Sequence, residues 1–308
     1  MPTDVILDCD PGHDDAIALL MGSQSDAINL RAVTTVAGNH VIEKTTRNAL
    51  SVLTLAGRTD IPVARGMSGP LVREQVIADY VHGESGLDGT DLPEPTTEPI
   101  EEHAVDTLIE EARKRDGATL VPVGPLSNVA VALRKAPDLE DELERIVLMG
   151  GAIADGNITP AAEFNVFADP EAAHIVFESD IPVTMVGLDA TRKARLDREQ
   201  IDAIRERGSA VASAVADLLE YTVRFHEEEF GWTAVPVHDA CAIAAVIAPG
   251  ILETERMHVG IETRGELTYG RTVADVRGVT DNEPSVDVVL DIDSEAFFEM
   301  LISAIERY

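Results

Sequence analysis

Four carboxylates fall within eight positions near the start of the chain: Asp8, Asp10, Asp14 and Asp15, in the stretch LDCDPGHDDAIALL at residues 7–20. Apolar runs precede and follow them. Carboxylates a few ångströms apart repel, so some must take up protons or share a cation. A flexible cluster offering only oxygen suits a hard cation, Ca²⁺ or Mg²⁺. With two sulfurs, at Cys9 and Cys241, and one obvious histidine near the acids, tetrahedral zinc is a poorer match. A plainer reading covers part of the group. Asp14 and Asp15 at the start of a helix are favoured by its dipole. That reading leaves Asp8 and Asp10, on the preceding strand, unexplained.

The elements that must carry these residues alternate. Strand-like runs are DVILDCD, LRAVTTVAG, ATLVPVG, RIVLMGG and IPVTMVG, several of them apolar throughout, as strands buried on both faces are. Helical patterns cover residues 14–23, 43–56, 103–115, 126–136, 170–179 and 197–224. The order predicts an α/β fold of Rossmann-like type, a mainly parallel central sheet flanked by helices, in a single domain over 1–308. Residues 84–102, polar and rich in Pro and Gly, read as a surface loop. Residues 257–276 and 285–293 read as β-hairpin material before a closing helix. Small polar clusters stand where strands end: the aspartates after the first, Gly38–Asn39 after the second, Gly124–Asn128 after the third, Gly150–Gly151 after the fourth. In open α/β sheets the ligand lies beyond the carboxyl ends of the strands, so these clusters converge on one site. HDACAIA at 238–244 adds an imidazole and another acid, and EFN at 163–165 follows the fourth strand.

Composition narrows the function. At 308 residues and 45% hydrophobic content the chain can build a large core. Against 56 Asp and Glu stand 24 Lys and Arg, a net −32, and only Lys44, Lys114, Lys135 and Lys193 are lysine. The acids are spread along the whole chain, which reads as a solvated surface adapted to high salt rather than a patch for a cationic partner. No basic stripe exists to meet phosphates, so nucleic acid is an unsuitable partner. Two cysteines make no disulfide framework, and both read as small buried packers. The longest apolar stretch, ACAIAAVIAPGIL, is too short for a bilayer and is broken by Pro249 and Gly250. A strand begins almost at once, leaving no room for a signal peptide. The expectation is a soluble cytoplasmic protein with no membrane partner.

DCDPGHDDAIAL, VTTVAGN, HGESGLDG, VPVGPLSNVA, MGGA, EFNVFADPEAA and VPVHDACAIA, in that order, resemble the motif series of the inosine-uridine preferring nucleoside hydrolases. The likeness runs from residue 4 to about residue 245; residues 197–233 and the last sixty carry little of it. The resemblance implies Ca²⁺-dependent hydrolysis of the N-glycosidic bond of ribonucleosides, a role in nucleoside salvage, and a homodimer or homotetramer. It implies that Asp10, Asp15 and Asp239 hold the metal, with the backbone carbonyl of Val123. Asp10 would also act as general base on water. Asp14, Asn39, Glu163 and Asn165 would hold the ribose hydroxyls, with Asn157 near the sugar. His82 and Phe164 would flank base and sugar, His238 would stand by the leaving base, and Asp8 would support the loop. The chemistry is coherent. The transition state of glycoside hydrolysis is oxocarbenium-like, so nearby negative charge stabilises it. A site that hydrogen-bonds hydroxyls rejects analogues lacking them by roughly 10⁴ or more, so ribosides are expected over deoxyribosides.

Plainer roles exist for single residues. His82 can be an ordinary loop histidine, His13 and His40 border the cluster with no assigned role, and Trp232 reads as core packing before base stacking. Phe225, His226 and Phe230 share its segment, where base preference is undetermined. Two rival functions remain. Haloacid-dehalogenase-like phosphatases also open with a strand and DxD, but DCDPG lacks their usual Thr or Val after the second acid. A non-catalytic Ca²⁺ or nucleoside binding protein would need the cage but neither base nor His238.

Overall fold

A computed structural model describes residues 1–114 and 117–308 of the chain. Its strands are β1 (Thr3–Cys9), β2 (Ile28–Thr35), β3 (Val63–Arg65), β4 (Ala118–Pro122), β5 (Leu143–Met149), β6 (Val183–Val186), β7 (Arg195–Asp197), β8 (Ala234–Pro236), β9 (Leu252–Met257), β10 (Val259–Ile261), β11 (Thr272–Ala274) and β12 (Val286–Ile292). Eight form one sheet in the order β3-β2-β1-β4-β5-β6-β12-β9. All neighbours pair in parallel except β12 with β9, an antiparallel edge. The expected α/β fold with a mainly parallel sheet is present.

β1 shows why apolar runs become central strands. Val5, Leu7 and Cys9 enter the core on one face, and Ile6 enters the core on the other. Helices His13–Gln24, Ala210–Phe230, His238–Ile247 and Ser294–Ile305 contribute to the first core, and Ala104–Lys114, Ser127–Lys135 and Pro170–Phe177 to the second. Both cysteines are free and buried. Among the described residues no helix is long and apolar enough to cross a membrane.

The chain builds β1, β2 and β3 outward in one direction, then returns to lay β4 against the other side of β1. Strand order therefore reverses between β1 and β4, and the loops leaving their carboxyl ends diverge to open a crevice. The loop after β1 carries Asp10, and the loop after β4 begins with Val123.

Two elements differ from the sequence reading. The helix expected over 197–224 is two, Arg198–Arg205 and Ala210–Phe230. The apolar periodicity runs across the break, but Ser209 accepts the Ala212 N–H and starts a new helix. The run 285–293 does not pair within a terminal hairpin; β12 inserts between β6 and β9 in the main sheet. β10 and β11 do form a small antiparallel pair. The helix expected over 103–115 spans Ala104–Lys114, and Arg115 lies outside the described residues.

Candidate active site

Asp10 sits at the switch point and is fully buried. A Cβ on Gly38 or Gly124 would collide with its carboxylate, so glycine on both neighbouring loops lets the side chain fit. Its Oδ2 accepts the Asn39 backbone N–H at 2.6 Å. Its Oδ1 has no hydrogen-bond partner among the described residues. Asp15, one turn into the first helix, reaches back over the loop. Its oxygens accept the N–H of Asp10 and of Gly12, both at 3.0 Å, and Asn39 Nδ2 at 2.9 Å. Asp239 arrives from the start of helix His238–Ile247. One oxygen each from Asp14, Asp15 and Asp239 lie within 4.8 Å of one another.

Burial, followed by the charge of Asp15, drives the Asp10 carboxyl well above the usual carboxylate range. Burial and then Asp14, Asp15 and Asp10 do the same to Asp239. Asp14 is pushed up to about 7 by burial and by Asp15, and burial also raises Asp15. The charge of Asp15 raises Asp10, Asp14 and Asp239, and Asp10 keeps an oxygen with no partner among the described residues, so a cation would stabilise the ionised form of the cluster. The donor set is oxygen only, which fits a hard divalent cation. Asp8 lies outside this cage. Its Oδ1 accepts Thr34 Oγ1 at 2.6 Å and Asn128 Nδ2 at 2.8 Å, tying β1 to β2 and to helix Ser127–Lys135.

Above the carboxylates opens a pocket lined by Asp14, Asn39, His82, Val123, Asn157, Glu163, Phe164, Asn165, His238 and Asp239. Asp10 and Asp15 are buried beside it, so the structure brings the residues singled out from sequence to one place. Their free hydrogen-bonding capacity differs. Glu163 caps helix Phe164–Ala168: Oε1 accepts Asn165 N–H, and Oε2 accepts the N–H of Gly151 and Val166. A carboxylate has about four lone-pair sites, which leaves Glu163 roughly one for a ligand. Asn165 spends both amide hydrogens on the carbonyls of Val123 at 2.8 Å and Met149 at 3.2 Å, leaving its own Oδ1 as acceptor. The Val123 carbonyl, expected to face a metal, thus already accepts one bond and keeps one lone pair. Asn157 Oδ1 accepts the Phe164 N–H at 2.9 Å, leaving its amide hydrogens as donors.

His238 Nδ1 lies 2.7 Å from the buried Thr191 hydroxyl. Burial, then His226, Arg192 and Arg195, lower its pKa to about 3. At neutral pH it is an uncharged imidazole with a hydrogen on one of its two ring nitrogens.

Sequence reasoning missed much of the wall. Ile17, Tyr80, Met149, Ile158 and Thr222 line the pocket, joined by Phe225, His226 and Phe230 from the segment that had no clear role. Tyr80 and Phe225 meet at 6.4 Å between ring centroids. His226 Nδ1 lies 2.9 Å from the Thr222 carbonyl, which leaves Nε2 as an acceptor. Trp232 is neither core nor pocket wall. It is half-buried behind His226, stacked at 5.7 Å, with the Arg195 guanidinium 4.6 Å from its ring. No lysine or arginine lines the pocket among the described residues.

Residues 5–299 match the family described as inosine-uridine preferring nucleoside hydrolase. The chain is 48% identical, over all of its length and 99% of the other, to a protein of Shewanella woodyi named pyrimidine-specific ribonucleoside hydrolase RihA. It is 47% identical, over the whole of both chains, to the protein of that name from Shigella boydii. Its fold superposes on a purine-preferring ribonucleoside hydrolase from Gardnerella vaginalis with a TM-score of 0.93 at 30% identity, covering 99% of this chain and 98% of that one. A plant nucleoside hydrolase gives the same TM-score and identity over the whole of both chains. With the carboxylate cluster at the switch point and the motif series in order, the chain belongs to the inosine-uridine preferring nucleoside hydrolases and is an N-ribosyl hydrolase.

Proposed function

We propose that this enzyme hydrolyses pyrimidine ribonucleosides to ribose and free base, with Ca²⁺ held by Asp10, Asp15 and Asp239 and the Val123 carbonyl. The observation that carries the reading is the carboxylate cage, whose Asp10 oxygen has no partner among the described residues, under a pocket that no described lysine or arginine lines. A phosphate would find only negative charge there, which favours nucleosides over nucleotides and disfavours the phosphatase alternative. A bound divalent cation supplies charge that lowers the pKa of a water and orients ribose oxygens. Asp10 takes the proton from the attacking water. Asp14, Asn39, Asn157, Glu163 and Asn165 hold the ribose hydroxyls, using the lone pairs and amide hydrogens left free by their own anchoring bonds. As positive charge develops on the sugar, the surrounding carboxylates stabilise it. Phe164 and His82 flank sugar and base, and His238 gives the departing base a hydrogen bond or proton from Nε2. We further read residues 1–308 as one domain of a cytoplasmic homo-oligomer.

The pyrimidine preference rests on the names of the relatives near 47% identity. Release of base and ribose from uridine, cytidine, inosine and 2′-deoxyuridine tests it. Uridine and cytidine should lead inosine, and the deoxyriboside should trail by roughly 10⁴. Equal turnover of inosine and uridine would remove the preference, and fast deoxyriboside cleavage would remove the hydroxyl-binding roles.

A further inference from the structure

Asn157 stands on a turn at the surface, with Ala154, Asp155 and Asn157 itself exposed. Bonds within the turn give it its shape. The Gly156 N–H donates to the Pro160 carbonyl at 3.2 Å and the Asn157 N–H to the Ala162 carbonyl at 3.1 Å. A Cβ on Gly156 would stand 2.1 Å from the Ala162 carbonyl oxygen, so only glycine allows so tight a turn. None of these bonds ties the turn to the body of the enzyme.

The short helix Leu188–Thr191 and the residue after it do that. Leu188 donates its N–H to the Gly151 carbonyl at 2.9 Å. The Asp189 carboxylate accepts the N–H of Ile153 at 2.6 Å on one oxygen and of Ala154 at 3.1 Å on the other. Arg192 takes the next two residues: Nη1 donates to the Asp155 carbonyl at 3.0 Å and Nη2 to the Gly156 carbonyl at 2.6 Å. A guanidinium only donates and a carbonyl only accepts, so both bonds have a single sense. The planar fork spans two successive carbonyls, a geometry that a lysine ammonium does not reproduce. Arg192 itself stands outside the pocket wall.

We propose that Arg192 is a positioning residue: by gripping the carbonyls of Asp155 and Gly156 it fixes the turn that presents Asn157 to the sugar. A turn left free would have to be ordered each time substrate binds, and that cost falls on affinity. The step from turn to substrate rests on the reading of Asn157 as a ribose-binding residue.

The test follows uridine hydrolysis and backbone amide hydrogen exchange in Arg192→Met and Arg192→Lys, each alone and combined with Asn157→Ala. Arg192→Met removes both bonds. It should raise KM roughly tenfold with far less change in kcat, and speed exchange at the Gly156 and Asn157 amides. Arg192→Lys keeps the charge that bears on His238 and loses the fork, so it should raise KM in the same direction by a smaller factor. On the Asn157→Ala background Arg192→Met should add little, because a residue that acts through another does not add to its loss. Unchanged exchange and KM in Arg192→Met, a loss confined to kcat, or a KM increase that multiplies in full with that of Asn157→Ala would overturn the proposal. Faster exchange in Arg192→Met together with a wild-type KM in Asn157→Ala would leave the grip on the turn in place and remove instead the reading of Asn157 at the sugar.

Discussion

His238 has the side chain of a general acid without its ordinary pKa. Burial and the cationic side chains near it hold the ring neutral, with a pKa of about 3, and the Thr191 hydroxyl occupies Nδ1. In the proposed reaction Thr191 donates to Nδ1, and Nε2–H would give the departing base a hydrogen bond that strengthens, up to proton transfer, as charge builds on it. The leaving group separates this from mere packing. His238→Ala should cost roughly 10²- to 10⁴-fold on uridine and little on a 4-nitrophenyl riboside, whose leaving group needs no proton. An equal loss on both substrates would place His238 in support of Asp239 or of the fold. At this scale the clustering of the carboxylates was legible in the residues themselves, because paired acids against an apolar strand have few structural explanations, whereas the amides and His238 were singled out through the resemblance of the motif series. The depressed pKa of His238 was not legible, since it depends on burial and on Arg192 and Arg195, more than 40 positions away in the chain, as well as on His226. Nor were Tyr80 and Thr222, whose residue types have ordinary explanations on a loop and a helix end.

At the scale of elements, the site exists because β1 and β4 are neighbours whose following loops part. Asn128 helps keep them registered. Its Nδ2 donates to Asp8 Oδ1 at 2.8 Å and to the Thr35 carbonyl at 2.9 Å, and its Oδ1 accepts the Met67 N–H at 2.8 Å. Asn128→Ala would take one of two donors from Asp8 Oδ1 and remove the side-chain donor to the buried Thr35 carbonyl, at a cost of about 1–3 kcal/mol. A denaturant titration should show that loss; a midpoint equal to wild type would mean that water replaces the amide without penalty. The central strands were readable because burial on both faces makes them unbroken apolar runs. β9 was not, because LETERM at the sheet edge exposes its charges and carries no such signal. β12 alternates like a hairpin strand, and only the completed sheet shows that its place is beside β6. Helix Ala210–Phe230 was merged with its predecessor because both share one apolar period, which Ser209 interrupts only through a local cap.

The whole molecule carries −32, and 24 cationic side chains cannot pair 56 acids. Ion pairs such as Arg205–Asp217 and Arg256–Asp287 are solvent-accessible and contribute little each. Screening falls from a length of about 10 Å at 0.1 M salt to about 3 Å at 1 M, so self-repulsion should weaken as salt rises. The melting temperature is expected to climb between tenth-molar and molar KCl; a flat profile would argue against a surface adapted to salt. The acids of the active site are proposed to answer to a different cation. If the cage is built for Ca²⁺, binding to the native state alone stabilises the entire chain, by about 2.7 kcal/mol at a free concentration one hundred times Kd. Uridine hydrolysis and melting temperature should therefore be followed in one sample, first as prepared, then stripped with chelator, then with Ca²⁺ restored. Turnover should vanish on stripping while the melting temperature falls, and both should return with Ca²⁺; undiminished hydrolysis by the stripped, metal-free enzyme would contradict the account.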